Sequence, residues 1–249
     1  MGALPGTTGR RRLYLMRHGF VDYTSPEVRA AQDPTIAYLT ERGREEAKFA
    51  GVALSDVQLD VAFHSGLRRT RETAEIVLSQ HDLEAPELEQ ETRFQELRSG
   101  QYIDFKSPEH LAATMTFQFE QAGQPDATFL DGGEKFADAM ARIEDGLKGL
   151  LSRPGWASAL LVAHEVVNRM ILAWAIGAPL SSSAGFEQDT GCINIVDFDL
   201  VPDEAGNTRI ERAMIKAVNL TPANYLKNGM NLRSLEAIFT RADDESPPN

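Results

Sequence analysis

Cysteine is almost missing from this chain. Cys192 is the single one among 249 residues, so no internal disulfide framework can form, and a reducing compartment fits. Beside Gly191 it reads as a small buried residue rather than a nucleophile. No apolar run is long enough to span a bilayer: the most apolar stretch, Ala159-Leu160-Leu161-Val162-Ala163, has the length of a strand. Met1 to Arg12 lacks the apolar core of a signal peptide, and the cytoplasm is the expected location. Positive charge is in deficit, with 25 Lys and Arg against 37 Asp and Glu for a net charge of −12. That balance argues against a nucleic-acid binder. It also means that an anionic substrate would need a local cationic pocket. Internal repeats, heptads and carboxylate clusters with metal-ligand spacing are lacking too, so neither a metal nor another cofactor is expected.

What is present is an alternation of strand and helix signals. Leu13–Arg17 reads as a first strand, Thr40 as the N-cap of a helix to about Leu54, and Val61–His64 as a short strand. Helices follow from about Gly66 to Ser79, from Pro108 to about Gln121, and from Gly133 to Leu151. Ala159–Ala163 is a buried strand, and Val166–Ile176 a helix ended by Gly177 and Pro179. Ile193–Phe198 and Ile210–Ile215 read as late strands joined by a turn at Glu204-Ala205-Gly206-Asn207. The alternation predicts an α/β fold, a three-layer α/β/α sandwich on a mostly parallel sheet. One domain over residues 12–240 is expected, with a flexible tail over 1–11, a disordered tail over 241–249, and a lid insertion over about 97–132.

Five short segments carry chemistry. Leu13-Tyr14-Leu15-Met16-Arg17-His18-Gly19 ends a buried strand in a cation, an imidazole and a glycine, at the edge where open α/β sheets place their sites. Gly19 allows close backbone approach to a ligand. His64-Ser65-Gly66-Leu67-Arg68-Arg69-Thr70-Arg71 runs from a strand end into a helix start, which favours an anion; a solvated basic helix face is the competing reading. His164 follows the strand 159–163, where a satisfied core histidine is the alternative. Arg93-Phe94-Gln95-Glu96-Leu97-Arg98 could be a surface loop. Gly132-Gly133-Glu134 opens a helix, and Glu134 suits its dipole.

Together these segments resemble the histidine phosphatase superfamily, in its phosphoglycerate mutase-like branch. Arg17-His18-Gly19, Leu39-Thr40-Glu41-Arg42-Gly43, Ser65-x-Leu67-x-Arg69-Thr70, Phe94-x-Glu96 with Gly100-x-Tyr102, and His164 after Leu161-Val162-Ala163 follow the family's motifs in order, from about residue 12 to 200. Two departures stand out. Glu165 occupies a position that is usually glycine. Phe20-Val21-Asp22-Tyr23-Thr24 replaces a Glu-Thr-x-x-Asn pattern, so Val21 brings no hydroxyl.

The resemblance implies a metal-independent phosphomonoesterase acting through a phosphohistidine. His18 would attack phosphorus, its second ring nitrogen held by a backbone carbonyl. Arg17 and Arg69 would clamp the phosphoryl group. A protonated His164 would stabilise the transferring group, and Glu96 would serve as general acid and then base. Gly19, Phe20, Tyr23, Arg98, Tyr102 and Glu165 are further candidates for substrate contact, as is Phe105. Helical spacing places Phe117 in the core rather than the pocket. The expected partner is a small phosphomonoester or inorganic phosphate, with no nucleic acid and no membrane; a homodimer stays open. A mutase would need more lid cations than Arg98 and Lys106, and a phosphoprotein phosphatase would want a shorter lid.

Overall fold

The computed structural model describes residues 9–23, 25–100, 117–224 and 226–227. A six-stranded sheet organises them. In chain order the strands are β1 (Gly9–Arg17), β2 (Val61–His64), β3 (Leu88–Gln90), β4 (Ser158–Ala163), β5 (Ile193–Pro202) and β6 (Thr208–Leu220). Their spatial order is β3-β2-β4-β1-β5-β6. β3, β2, β4 and β1 run parallel, and β5 and β6 are added antiparallel at one side. The central strands are covered on both faces, which is why β4 is buried throughout and reads as a continuous apolar run.

Strand alternation divides the core in two. Leu13, Leu15, Leu161, Val196 and Phe198 face helices α4 (Phe136–Ser152) and α5 (Glu165–Ala175). Tyr14, Met16, Leu160, Val162 and Ile193 face α2 (Glu41–Ala53) and α3 (Arg68–Leu78). Helices on both faces of one sheet make the three layers, and the period-2 strand pattern assigns each side chain to its layer. Thr40 caps α2 as expected, its Oγ1 accepting from the Gly43 amide at 3.2 Å. A short helix α1 (Pro26–Ala31), capped by Ser25, and a 3-10 turn at Pro34–Ile36 were not anticipated.

Three expectations need correction. Residues 9–11 are not tail: β1 starts at Gly9 and pairs with β5 from Leu200 onward. Arg10 and Arg12 make two-pronged ion pairs with Asp199 and Asp197, and Arg11 lies over the Trp156 ring. The last strand runs over Thr208–Leu220, its main extension lying after Ile215. Phe117 is 56% exposed, whereas Phe119 is the buried one, edge-on to Phe136. Most of the helix expected over 108–121, with Tyr102, Phe105 and Lys106, lies outside the described residues, as do Thr24 and the segment 241–249.

Strand register positions the site. Arg17 pairs with Ala163 across β1 and β4, and His64 with Val162 across β2 and β4. His18 and His164 therefore leave the sheet side by side, each one residue past the last paired position, with Ser65 next to them. All lie beyond the carboxyl ends of parallel strands, where such sheets bind ligands.

Candidate active site

His18 and His164 face each other with ring centroids 5.2 Å apart at 66°, and both are fully buried. His18 Nδ1 lies 2.8 Å from the Gly19 carbonyl, which can only accept. Nδ1 therefore carries the proton, and Nε2 keeps its lone pair. Arg69 Nε donates to that lone pair at 3.3 Å. The tight turn after His18 depends on a glycine contact: a Cβ on Gly19 would come within 2.2 Å of the Gly43 carbonyl oxygen at the start of α2. The Gly19 amide donates to Thr73 Oγ1 at 3.1 Å.

His164 is oriented by a chain of hydroxyls. Its Nε2 lies 2.7 Å from Ser65 Oγ, which lies 2.9 Å from Thr70 Oγ1. Thr70 spends its single hydrogen on the Leu67 carbonyl at 2.7 Å, so the Ser65 hydrogen goes to Thr70 and Ser65 accepts from His164 Nε2–H. His164 Nδ1 is buried and without a hydrogen-bond partner among the described residues. A buried orphan of this kind marks a place where something else binds.

Burial pushes the pKa of both imidazoles well below 6.5. For His18, Arg69 and then Arg17 add to the effect, against the Gly19 hydrogen bond; for His164, Arg69, His18 and Arg17 add to it. For His164 this direction runs against the protonated ring that the resemblance implies. An incoming phosphate would reverse that balance by bringing negative charge.

Arg17 and Arg69 are the buried cations of the site. Arg17 Nη1 donates to the Gln188 carbonyl at 2.5 Å, and Nη2 meets Glu165 Oε2 at 3.0 Å. Arg69 Nη1 donates to the carbonyls of Pro34 and Thr35 at 3.3 and 3.4 Å, and its guanidinium lies 5.8 Å from the Tyr23 ring centre. The neighbouring arginines of α3 point elsewhere: Arg68 stacks on Tyr38, and Arg71 pairs with Glu75 in solvent.

Glu96 approaches from the segment after β3. Its Oε1 accepts from its neighbour's amide at Leu97, 3.1 Å, and its Oε2 from Val166 at the head of α5, 3.2 Å. Burial pushes its pKa up and outweighs both amide bonds, with the Glu165 charge pushing the same way.

Of the other candidates, Tyr23 and Glu165 are brought to the arginines. Phe20 packs under the Arg42 guanidinium, 4.7 Å away, with its amide bonded to Glu46. Arg98 is exposed, and its backbone is tied to Glu134 in both directions. Glu134 itself is buried in a two-pronged pair with Arg142, which is more than a dipole effect. Val21 fills a small apolar cluster with Val28, Ala37 and Leu39, which explains its missing hydroxyl. Tyr102 lies outside the described residues. Sequence reasoning gave no role to Ser65, Gln188 or Arg169. Arg169 had a signal, a lone cation in an apolar helix; the Gln188 contact is made by backbone and had none.

The α/β/α sandwich that carries this cluster at the carboxyl ends of its strands is similar to known proteins. Residues 13–201 match the histidine phosphatase superfamily, branch 1, and the chain belongs to that family. Within it the fold is the phosphoglycerate mutase-like one, and the chain is a hydrolase of the histidine phosphatase kind. It is 28% identical over 191 residues to the adenosylcobalamin/alpha-ribazole phosphatase of Escherichia coli strain K12, covering 76% of this chain and 90% of that protein. It is 26% identical over 219 residues to a probable 2-carboxy-D-arabinitol-1-phosphatase of Arabidopsis thaliana, covering 88% of this chain; the match spans only 44% of the plant protein. A mycobacterial glucosyl-3-phosphoglycerate phosphatase shares the fold, with a TM-score of 0.65 at 21% identity over 84% of this chain and 98% of that one.

Proposed function

We propose that this chain is a metal-independent phosphomonoesterase that works through a phosphohistidine on a small phosphorylated metabolite, in the cytoplasm. The observation that carries the reading is the Nε2 lone pair of His18, fixed by the Gly19 carbonyl and facing a buried guanidinium. An imidazole held neutral among cations is a ready nucleophile for an anionic phosphoryl group.

Arg17 and Arg69 receive the phosphoryl oxygens and stabilise charge as it spreads over them. His18 Nε2 forms a bond to phosphorus as the ester P–O bond breaks, and Glu96 gives its proton to the leaving oxygen. His164 Nδ1 takes up a proton as the anion binds and donates it in a hydrogen bond to a phosphoryl oxygen. In the second half, water attacks phosphorus, the carboxylate of Glu96 accepts its proton, and the N–P bond breaks to return His18. The protein supplies the charge and the proton from its own side chains. A small-metabolite substrate is supported by the E. coli and Arabidopsis relatives, whose names specify ribazole and carboxyarabinitol phosphatases.

The test is hydrolysis of p-nitrophenyl phosphate in excess EDTA. Wild type should turn over and a folded His18→Ala protein should not. Equal turnover by the two, or loss of wild-type activity on chelation, would overturn the reading.

A further inference from the structure

Glu165 bridges two arginines at the head of α5. Its Oε2 lies 3.0 Å from Arg17 Nη2 and its Oε1 2.9 Å from Arg169 Nη2, one helical turn along. Both guanidiniums are nearly buried, whereas the Glu165 side chain keeps 22% of its surface exposed, so it has room to move. Arg169 is itself held in place: Nη1 donates to the Ser183 carbonyl at 3.3 Å, and the guanidinium lies 4.9 Å over the Phe119 ring. Its Nε, however, is buried without a hydrogen-bond partner among the described residues. A buried donor left without an acceptor is destabilising. Nε and Nη2 form one edge of the planar fork that matches a carboxylate with two parallel bonds, and here only half of that edge is used.

A carboxylate on Arg17 neutralises a buried cation. It also occupies a donor that a phosphoryl group needs, and a dianion beside it would be repelled. Taking Arg17 as a phosphate ligand, the role proposed above, we propose that Glu165 is a positioning residue with two seats: it bridges Arg17 and Arg169 as in the structure and moves wholly onto the Nε–Nη2 edge of Arg169 when a phosphoryl group takes Arg17. Arg169 then sets phosphate affinity without touching the phosphate. It does so by offering Glu165 somewhere to go.

The experiment is a double-mutant cycle on the full chain. The readouts are kcat and KM for p-nitrophenyl phosphate and the inhibition constant of inorganic phosphate. Arg169→Met leaves Glu165 only Arg17, and should raise KM and the phosphate inhibition constant about tenfold, a coupling of the size that contacting residues show, with kcat changing less. Glu165→Gln should tighten phosphate binding. In the double variant the loss of Arg169 should have little further effect, because the Glu165 charge no longer competes for Arg17. Arg169→Lys keeps the charge without the fork; it should give an intermediate rise, and it replaces Arg169→Met if that protein does not fold. Additive effects of the two substitutions, or weaker phosphate binding in Glu165→Gln, would overturn the exchange while leaving the phosphatase reading intact. Wild-type phosphate inhibition that neither substitution changes would overturn the exchange alone, whereas wild-type protein with no turnover of p-nitrophenyl phosphate would overturn both.

Discussion

Ser65 Oγ accepts a hydrogen bond from His164 Nε2 at 2.7 Å, and a second hydroxyl, that of Thr70, passes the chain on to the Leu67 carbonyl. The chain has only one consistent direction, because Thr70 has a single hydrogen to give. Its consequence reaches the pocket. With Nε2 committed to Ser65, the partnerless Nδ1 of His164 is the ring nitrogen left to meet an incoming anion.

Ser65→Ala removes the acceptor and leaves a buried N–H unsatisfied. Stability should fall by about 1–3 kcal/mol, the usual cost of such an orphan. The kcat for p-nitrophenyl phosphate should fall more than KM rises, because the other tautomer of His164 becomes accessible. Thermal melts and steady-state kinetics check both. An unchanged kcat would show that the hydroxyl chain does not orient the ring.

Glu96→Gln should separate substrates by leaving group. The carboxyl, its pKa raised mainly by desolvation, is suited to give a proton to an alkoxide. An alkyl phosphate needs that proton, while p-nitrophenolate leaves with little help. The substitution should therefore reduce the first half-reaction far more for the alkyl ester, by on the order of 10²–10⁴. A uniform loss on both substrates would contradict the assignment. In the wild type, kcat/KM for the alkyl ester should fall as pH rises through the raised value of Glu96, since the acid form is needed.

Acid should destabilise the fold through the two imidazoles. Both have folded pKa values driven well below 6.5, first by burial, while the unfolded chain takes up these protons near the ordinary value. Their contribution is complete above about pH 6.5 and is lost as pH falls, because the unfolded state then binds more protons. Glu96 works the other way: its raised pKa favours the folded state at low pH, and that favour is lost as pH rises. His164→Gln removes one imidazole and keeps Glu96, so the drop in Tm between pH 7 and pH 5 should be smaller in the variant than in wild type. Equal drops would contradict the direction given for His164.

Much of this site was readable because its residues sit at strand ends, where an apolar run stops at a polar residue. Arg17, His18 and His164 are all such residues, and the strand register brings them together. The choice of Arg69 among three arginines came from the motif, and the helix geometry accounts for it: Arg69 turns inward, while Arg68 and Arg71 face Tyr38 and Glu75. Other features depend on partners far away in the chain. Arg10 and Arg12 look like a loose basic tail until Asp199 and Asp197 are placed across from them. Phe117 and Phe119 are two residues apart, and nothing local tells which is covered. The Arg17 contact with the Gln188 carbonyl leaves no trace in side-chain pattern, and of the Glu165–Arg169 pair the sequence showed an unexplained departure at Glu165 and a lone cation in an apolar helix at Arg169.

The most direct test of the central claim is to trap the enzyme during turnover with a phosphorus-labelled substrate, quench in alkali, and map the label. The expected result is an acid-labile, base-stable phosphoryl group on the peptide that carries His18, absent from His18→Ala. Steady turnover with no label on that peptide would contradict the account.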